Sequence, residues 1–271
     1  MEEFTGNCLS IEDCNRQYRL LWKKYRMKVN VPRNLSKYLK FWPQQYPAEK
    51  MRKGEVLFIS LNPAFNESVK TLLTIKSTKD LDDPCIANCV VEEHRSALSP
   101  NEKGKLYTYY DGLRKVAVKV KKDINWCNLD LIPVRGSKQN EVINDLELNR
   151  PYNGTNKNLE SFLQDNIEIV RRMIEIINPS VVVVVNGFIK EQVKKCSKND
   201  SNKEKCNLVK NLGIVNNKKF KGENELQIRF GKSCRTVILF KMLSGRARIK
   251  KEETDELVRK IKARIDMLED C

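Results

Sequence analysis

The sequence predicts an α/β fold, specifically a three-layer α/β/α sandwich with a central, mainly parallel four-stranded sheet plus an edge hairpin strand. The first indication is a set of four apolar segments with strand character, one of which contains five consecutive valines, Val181–Val185. A strand that is apolar on both faces is typical of the centre of a parallel sheet. The second indication is the long interval between successive strands, which leaves room for a crossover helix each time.

The predicted strands follow in order along the chain. The core strands are expected at Glu55–Leu61, Ile124–Ile132, Ser180–Asn186 and Arg235–Lys241. Glu225–Phe230 alternates between apolar and polar residues, and Gly231 with Lys232 supplies a turn into the fourth core strand. We therefore expect one antiparallel strand at the sheet edge, formed as a hairpin.

Apolar residues that recur every three or four positions predict the helices. They are expected at Leu106–Lys121, Leu159–Ile177, Phe188–Cys196 and Glu252–Leu268. The second of these has the most regular pattern, and Asn178-Pro179 ends it, because a residue before proline is disfavoured in helical conformation.

Residues 1–50 differ in composition from the rest of the chain, because they are basic, aromatic and punctuated by prolines. We predict that they form a helical N-terminal extension packed on the α/β/α domain of residues 51–271. Within the extension, basic residues interleave with Trp22 and Tyr25. This pattern fits either a surface that tracks DNA or a solvated helix face.

The charge balance predicts a polyanionic partner. The 271 residues contain 51 Lys and Arg against 35 Asp and Glu, which gives a formal net charge of +16. Such an excess favours binding of nucleic acid, here DNA in single- or double-stranded form. No apolar run is long enough to span a bilayer, so no membrane association is expected. We place the protein in the cytoplasm, or wherever the DNA resides.

Cysteine and histidine usage disfavours metal chemistry. The nine cysteines include no CxxC pair, so free thiols, no metal and no cofactor are expected, with an iron–sulfur cluster as the alternative. The one histidine, His94, lies in a polar stretch. We expect His94 to be exposed and not to be catalytic.

Three unusual segments follow or end the predicted core strands. They are Asn62–Asn66 (NPAFN), Asn128–Gln139 (NLDLIPVRGSKQ) and Met242–Arg248 (MLSGRAR). In open parallel sheets, ligands bind beyond the carboxyl ends of the strands. We therefore expect these segments to surround one cleft. Strand alternation predicts that Asn128 and Asp130 face one side of the sheet, with Cys127 and Leu129 on the other.

These three segments resemble motifs of the uracil-DNA glycosylase superfamily, in the same order. "LNPAFN" is similar to the Asn-Pro first motif of the mismatch-specific and single-strand-selective branches, and "NLDLIPVR" is similar to the strand that carries the base-reading Asn. "MLSGRAR" looks like a variant of the final motif that kept Ser-Gly without the usual His or Pro. The resemblance spans Glu55 to about Leu268.

The resemblance implies a monofunctional DNA glycosylase that hydrolyses the N-glycosidic bond of uracil or a related deaminated base after flipping the nucleotide. Asn62 would position the attacking water, with Asp130 as the second candidate for the catalytic group. Phe65 and Ala64 would line the base site, and Asn128 would read the base edge through its amide.

The resemblance also implies a set of contacts to the DNA backbone. Ser244 and Gly245 would hold a phosphate, and Arg246 and Arg248 would add charge-assisted bonds. Arg246 would replace, through its charge, the histidine that the final motif lacks. Independently of the resemblance, we expect Arg135, Lys138 and Gln139 to form a rim that either binds the DNA backbone or braces the loop.

Each motif also has an ordinary structural interpretation. Asn62 fits a strand-terminal turn, Phe65 fits a core residue, and Asn128 fits a buried amide that caps its own strand. The third motif fits a loop that leads into a helix. At the level of function, the alternative is a catalytically weak or inactive nucleic-acid-binding module on the same fold. A nucleotide-binding enzyme of another doubly wound family is disfavoured, because no Gly-rich phosphate loop is present.

Overall fold

The structure of the protein is a computed structural model that describes residues 8–27, 30–51, 55–63, 81–98, 108–136, 138–150, 156–198, 214–215, 225–230, 233–241, 243 and 249–269. None of the helices within these ranges has the length and apolarity that a bilayer span requires.

A single twisted sheet forms the centre of the molecule. Its strands are β1 (Val56–Ser60), β2 (Trp126–Asp130), β3 (Val181–Val185), β4 (Ile214–Val215), β5 (Glu225–Phe230) and β6 (Ser233–Phe240). The spatial order is β2-β1-β3-β6-β5-β4, in which the first four strands are parallel and β5 and β4 are antiparallel. The predicted parallel core and edge hairpin are confirmed, and the two-residue β4 extends the edge further than expected.

Helices cover both faces of the sheet. They are α1 (Ile11–Arg26), α2 (Arg33–Tyr38), α3 (Ala48–Met51), α4 (Pro84–Leu98), α5 (Thr108–Val120), α6 (Gln139–Asp145), α7 (Lys157–Ile177), α8 (Gly187–Lys198) and α9 (Lys251–Glu269). The four helices predicted from periodicity correspond to α5, α7, α8 and α9, to within one helical turn at each end. Neither α4 nor α6 was predicted.

Side-chain alternation along the strands divides the core into two layers. Leu57, Ile59 and Leu129 belong to the layer that packs against α1 and α7. Val56 and Phe58 belong to the opposite layer, which packs against α5 and α9. The central valines of β3 contribute to both layers, which explains why this strand is apolar throughout.

The N-terminal extension is part of the same core. Trp22 and Tyr25 of α1 are fully buried, and each ring meets Phe162 of α7 edge-on with centroids 5.3 Å apart. The alternative in which these aromatic rings track DNA is therefore wrong, because neither ring is accessible. Lys23 and Lys24 lie on the outer side of α1, where they pair with Asp82 and Asp165.

His94 is buried, so the expectation that it is exposed is wrong. It lies on α4 with only 1% of its surface exposed. Ile86, Val90 and Ala97 share its inward face, at the three- and four-residue spacing of a helix. The charged residues between these positions give the segment its polar composition. They explain why the apolar face of this helix was not recognised from the sequence.

Candidate functional site

The carboxyl ends of β1 and β2 carry a buried cluster of three polar side chains. Ser60 is the parallel partner of Asp130 in the sheet. The Ser60 hydroxyl oxygen lies 2.8 Å from Oδ1 of Asp130 and 3.0 Å from Oδ1 of Asn128. Cys127 and Leu129 face the opposite layer. The predicted orientation of Asn128 and Asp130 toward one side of the sheet is therefore confirmed.

Asp130 is the most perturbed carboxyl group of this cluster. It is 1% exposed, and its backbone N–H donates to the hydroxyl oxygen of Tyr46 at 3.0 Å. Burial raises the pKa of Asp130 from 3.8 to about 7, although Ser60, Arg135 and Tyr46 each favour the ionised form. Asp130 therefore exchanges a proton near neutral pH, as a general acid or base requires.

A buried ion pair forms the wall behind this cluster. The guanidinium of Arg135 contacts the carboxylate of Glu93 at 2.6 Å and donates to the side-chain oxygen of Gln44 at 2.8 Å. Only 1% of the Arg135 side chain is exposed. This position favours the interpretation that Arg135 braces the loop rather than binds the DNA backbone.

Aromatic rings enclose the same space. His94 meets Tyr46 and Tyr110 edge-on, with ring centroids 5.1 and 5.7 Å apart. Burial and the charge of Arg135 lower the pKa of His94 to about 3, although the Asn128 backbone acts in the opposite direction. His94 is therefore neutral at physiological pH. Tyr109 of α5 neighbours both Ser60 and Asp130, and burial raises the pKa of its hydroxyl.

Asn62 lies just beyond the end of β1 and is half-buried. Its amide nitrogen donates to the carbonyl oxygen of Pro63 at 3.2 Å. This bond is also what the strand-terminal turn interpretation expects. Gly136 approaches from the segment after β2, and a Cβ built on it would lie 3.6 Å from the Asn62 amide nitrogen. Asn62 and Asp130 therefore border the same edge of the sheet.

The remaining rim residues are more exposed or point elsewhere. Lys138 has 76% of its side chain exposed and pairs with Glu141 on α6 at 3.2 Å. Gln139 accepts a hydrogen bond at 2.9 Å from the amide of Asn186, which follows β3. The ends of β1, β2 and β3 are thus linked, and Lys138 remains accessible to an anionic ligand.

The third motif begins beside the same cluster. Leu243 packs against the layer that contains Tyr109 and Tyr110. A Cβ built on Gly112 of α5 would lie 2.6 Å from the backbone oxygen of Leu243, so only glycine permits this approach. The predicted residues Ala64, Phe65, Ser244, Gly245, Arg246 and Arg248 lie outside the described residues.

Several buried polar atoms in this region lack a hydrogen-bond partner within the described part of the chain. They are Asn128 Nδ2, Asp130 Oδ2, Tyr109 Oη, His94 Nε2 and Arg135 Nε. Unpaired buried polar atoms are costly, and they are common where a ligand or water completes the bonding. Two of these atoms belong to Asn128 and Asp130 of β2, and the other three belong to residues around them, which marks this region as the candidate site.

Sequence reasoning missed Ser60, Tyr46, His94 and Tyr109. Ser60 has a local signal, because it is a hydroxyl residue at the end of an otherwise apolar strand. Tyr46 and His94 have none, because their partners lie on distant parts of the chain.

A basic groove lies on the same side of the sheet, between α5 and the first turn of α9. It is lined by Arg114, Lys115, Val118, Lys119, Lys251 and Thr254. Arg114 and Lys119 are neutralised by Asp111 and Asp255. Lys115 and Lys251 are exposed. The chain reaches this groove directly after the third motif, since α9 begins at Lys251.

Cysteines 8, 14, 85, 89 and 127 have free thiols. Among the described residues, no group of three or more His, Cys, Asp and Glu side chains is arranged to hold a metal ion. In comparisons with known proteins, no protein-family model matches this chain, and no curated protein matches it either.

Proposed function

We propose that this protein is a divergent relative of the uracil-DNA glycosylases that hydrolyses the N-glycosidic bond of uracil or a related deaminated base in DNA. The observation that carries this proposal is the cluster of Ser60, Asn128 and Asp130 at two neighbouring strand ends. It combines a carboxyl group that titrates near neutral pH with an amide that has an unpaired nitrogen.

The chemistry of the cluster suits hydrolysis of a glycosidic bond. A water that attacks the sugar must be oriented and must lose a proton. In this proposal Asp130, in its ionised form, accepts that proton. The N-glycosidic bond breaks, its electron pair leaves with the base as an anion, and the anion takes up a proton from solvent. Asn62 orients the water through its amide, which the bond to Pro63 holds in place. This assignment gives the proton transfer to Asp130, because an amide is too weak a base.

Base recognition is assigned to Asn128. An amide can donate to and accept from the edge of a flipped base, and its nitrogen has no partner among the described residues. Asn128 and Asp130 are both enclosed, with 0% and 1% exposure. The proposal therefore requires the surrounding side chains to move aside when the base enters.

DNA binding is assigned to the basic groove and to the third motif that leads into it. The exposed ammonium groups of Lys115 and Lys251 supply sequence-independent attraction to phosphates. The excess of basic residues over the whole chain supports the same assignment. The competing candidate is a nucleic-acid-binding module without catalysis, which the same charge distribution also favours.

Cleavage of uracil-containing oligonucleotides tests the proposal. Single- and double-stranded oligonucleotides are incubated with the protein and then treated with alkali, which breaks the strand at abasic sites. We expect breaks at uracil with the wild type, and at least a hundredfold slower formation with Asp130→Asn or Asn62→Ala. Asn144→Ala, an exposed residue of α6, is the matched control and should behave as the wild type.

The two candidate functions give different outcomes. Strand breaks that depend on Asp130 support the glycosylase. Salt-sensitive binding of the oligonucleotides without breaks, on every deaminated base offered, would replace it with the binding module. Breaks that persist in both site variants would show that the chemistry lies elsewhere in the chain.

A further inference from the structure

The hydroxyl group of Ser60 is within hydrogen-bonding distance of two acceptors but has only one hydrogen. Its oxygen lies 3.0 Å from Asn128 Oδ1 and 2.8 Å from Asp130 Oδ1. A hydroxyl donates one bond and accepts through its lone pairs. The second contact is therefore favourable only when one of the neighbours carries the hydrogen.

Two proton arrangements satisfy this requirement. In the first, protonated Asp130 donates to Ser60, and Ser60 donates to Asn128 Oδ1, which leaves the Asn128 nitrogen unpaired. In the second, Ser60 donates to ionised Asp130, and the Asn128 amide is turned so that its nitrogen donates to Ser60. The Asn128 oxygen is then the unpaired atom. In each arrangement, both contacts of Ser60 are hydrogen bonds with one donor and one acceptor.

We infer that the protonation state of Asp130 sets, through Ser60, which amide atom of Asn128 is presented to a bound base. The inference rests on the proposed function, because it takes Asn128 as the group that reads the base edge. With Asp130 protonated, the free nitrogen donates to an exocyclic carbonyl, as in uracil. With Asp130 ionised, the free oxygen accepts from an exocyclic amino group, as in cytosine.

The structure has the amide orientation of the first arrangement, since Asn128 Nδ2 lacks a partner among the described residues and Oδ1 faces Ser60. This orientation matches a protonated Asp130. Burial raises the pKa of Asp130 to about 7, so both arrangements are populated near neutral pH. The protein would bind carbonyl-bearing bases in preference below this pH and would lose the preference above it. Uracil would therefore bind while Asp130 is protonated, and Asp130 would release that proton before it accepts the one from the attacking water.

Charged and titratable groups from each neighbouring segment influence the ionisation of Asp130. The guanidinium of Arg135, in the segment after β2, favours the ionised carboxyl group, as does the hydroxyl of Tyr46. Glu93 neutralises much of the Arg135 charge, and His94 beside it is uncharged at these pH values. The hydroxyls of Tyr18, Tyr109 and Tyr110 also neighbour Asp130, and their raised pKa values keep them neutral.

The coupling can be tested without any ligand by nuclear magnetic resonance. The side-chain amide resonances of Asn128 and the carboxyl carbon of Asp130 are followed from pH 5.5 to pH 9. We expect both to shift with the same midpoint in the wild type. In Asp130→Asn, the Asn128 shift should disappear. Asp145→Asn, a distant carboxyl group paired with Tyr38 and Lys37, is the matched control and should leave it intact.

The consequence for specificity is tested with free uracil and free cytosine as probes. Their dissociation constants are measured by calorimetry at pH 5.5 and pH 9 for the wild type, Asp130→Asn and Ser60→Ala. We expect the ratio of the two affinities to change by about tenfold between these pH values in the wild type. In both variants the ratio should be independent of pH.

The outcomes separate this inference from the proposed function. Independent titration of Asn128 and Asp130, or an affinity ratio that does not change with pH, overturns the inference even if uracil is excised. Coupled titration together with a pH-dependent ratio supports it. If the coupling is present but neither base binds, the specificity role fails, while the cleavage of uracil-containing oligonucleotides decides the proposed function separately.

Discussion

The hydroxyl oxygen of Ser60 lies 2.8 Å from Oδ1 of Asp130, and this contact joins the last residues of two neighbouring parallel strands. Both residues are buried. The bond partly offsets the cost of burying the carboxyl group, since it favours the ionised form. The ionisation of Asp130 at the end of β2 therefore depends on Ser60 at the end of β1.

Removal of the Ser60 hydroxyl should destabilise the fold. Ser60→Ala removes the hydrogen-bond partner that the buried side chains of Asn128 and Asp130 share, which costs about 1–3 kcal/mol. Urea unfolding at neutral pH measures the change. The control is Ser36→Ala, an exposed serine whose hydroxyl donates only to the backbone of its own helix, and which should change stability by less than about 0.5 kcal/mol. Equal effects of the two variants would show that the Ser60 contact contributes nothing specific.

The free energy of unfolding should depend on pH through Asp130. The unfolded chain ionises this residue near 3.8, whereas the folded protein retains the proton up to about 7. The wild type therefore loses stability as pH rises through this interval, and the loss is complete above it. The Asp130→Asn variant has no titratable group at this position, so this source of pH dependence is absent from it.

We expect the stability of Asp130→Asn relative to the wild type to increase by about 4 kcal/mol between pH 4 and pH 8. Denaturant unfolding at several pH values provides the measurement. Parallel stability profiles for the two proteins would mean that Asp130 is not protonated in the folded state.

His94 should remain neutral in the folded protein well below its ordinary pKa. Burial lowers its pKa to about 3, so the folded chain resists protonation while the unfolded chain accepts a proton near 6.5. Stability from this residue is present above 6.5 and is lost as pH falls toward 3.

The chain contains one histidine, so its ring resonance is unambiguous. We expect that resonance to stay constant from pH 8 to pH 4 in the folded protein. In urea the same resonance should titrate near 6.5, which serves as the internal control. A native midpoint near 6 would contradict the burial of His94.

The two glycines Gly112 and Gly187 should respond oppositely to alanine. A Cβ on Gly112 would lie 2.6 Å from the backbone oxygen of Leu243, whereas nothing lies within 4 Å of a Cβ on Gly187. Gly187→Ala should stabilise the protein by about 0.5–1 kcal/mol, since alanine restricts the unfolded chain. Gly112→Ala should destabilise it by about 1–3 kcal/mol, because the third motif must shift. Thermal unfolding compares them directly, and stabilisation of both would show that Leu243 does not approach α5 closely.

The basic groove should govern the salt dependence of DNA binding. Replacing Lys115 and Lys251 together by Gln removes two phosphate contacts, which should reduce the slope of log K against log salt by about 2. Fluorescence anisotropy with a labelled oligonucleotide measures this slope. The matched control replaces Lys40 and Lys157, which are also exposed. Lys40 follows α2 and Lys157 begins α7, on the other side of the sheet. If both pairs lower the slope equally, the DNA does not use the groove.

Much of the sheet could be predicted because burial on two faces leaves a direct compositional signal. Val181–Val185 is apolar throughout since β3 contacts both helical layers. The orientation of Asn128 and Asp130 was predictable for a related reason, because alternation along a strand is fixed by its geometry. The two-residue β4 is too short to carry this signal and was missed.

The wall of the candidate site could not be predicted, because it is built from contacts between distant parts of the chain. The Tyr46 hydroxyl meets the backbone of Asp130, and Arg135 meets Glu93 and Gln44. No spacing rule connects such residues. Arg135 illustrates the difficulty, since an arginine after a strand fits a DNA-binding rim and a buried brace equally well.

The hydrogen bond between Tyr46 and Asp130 has a practical consequence for anyone who shortens the chain. β2 is an outermost strand, and the Tyr46 hydroxyl accepts from the outward amide of its last residue. A fragment that began at residue 51 would lack Tyr46 and would therefore expose the edge of the sheet at β2. Exposed sheet edges pair with one another, so we expect the shortened fragment to aggregate more readily than the longer chain.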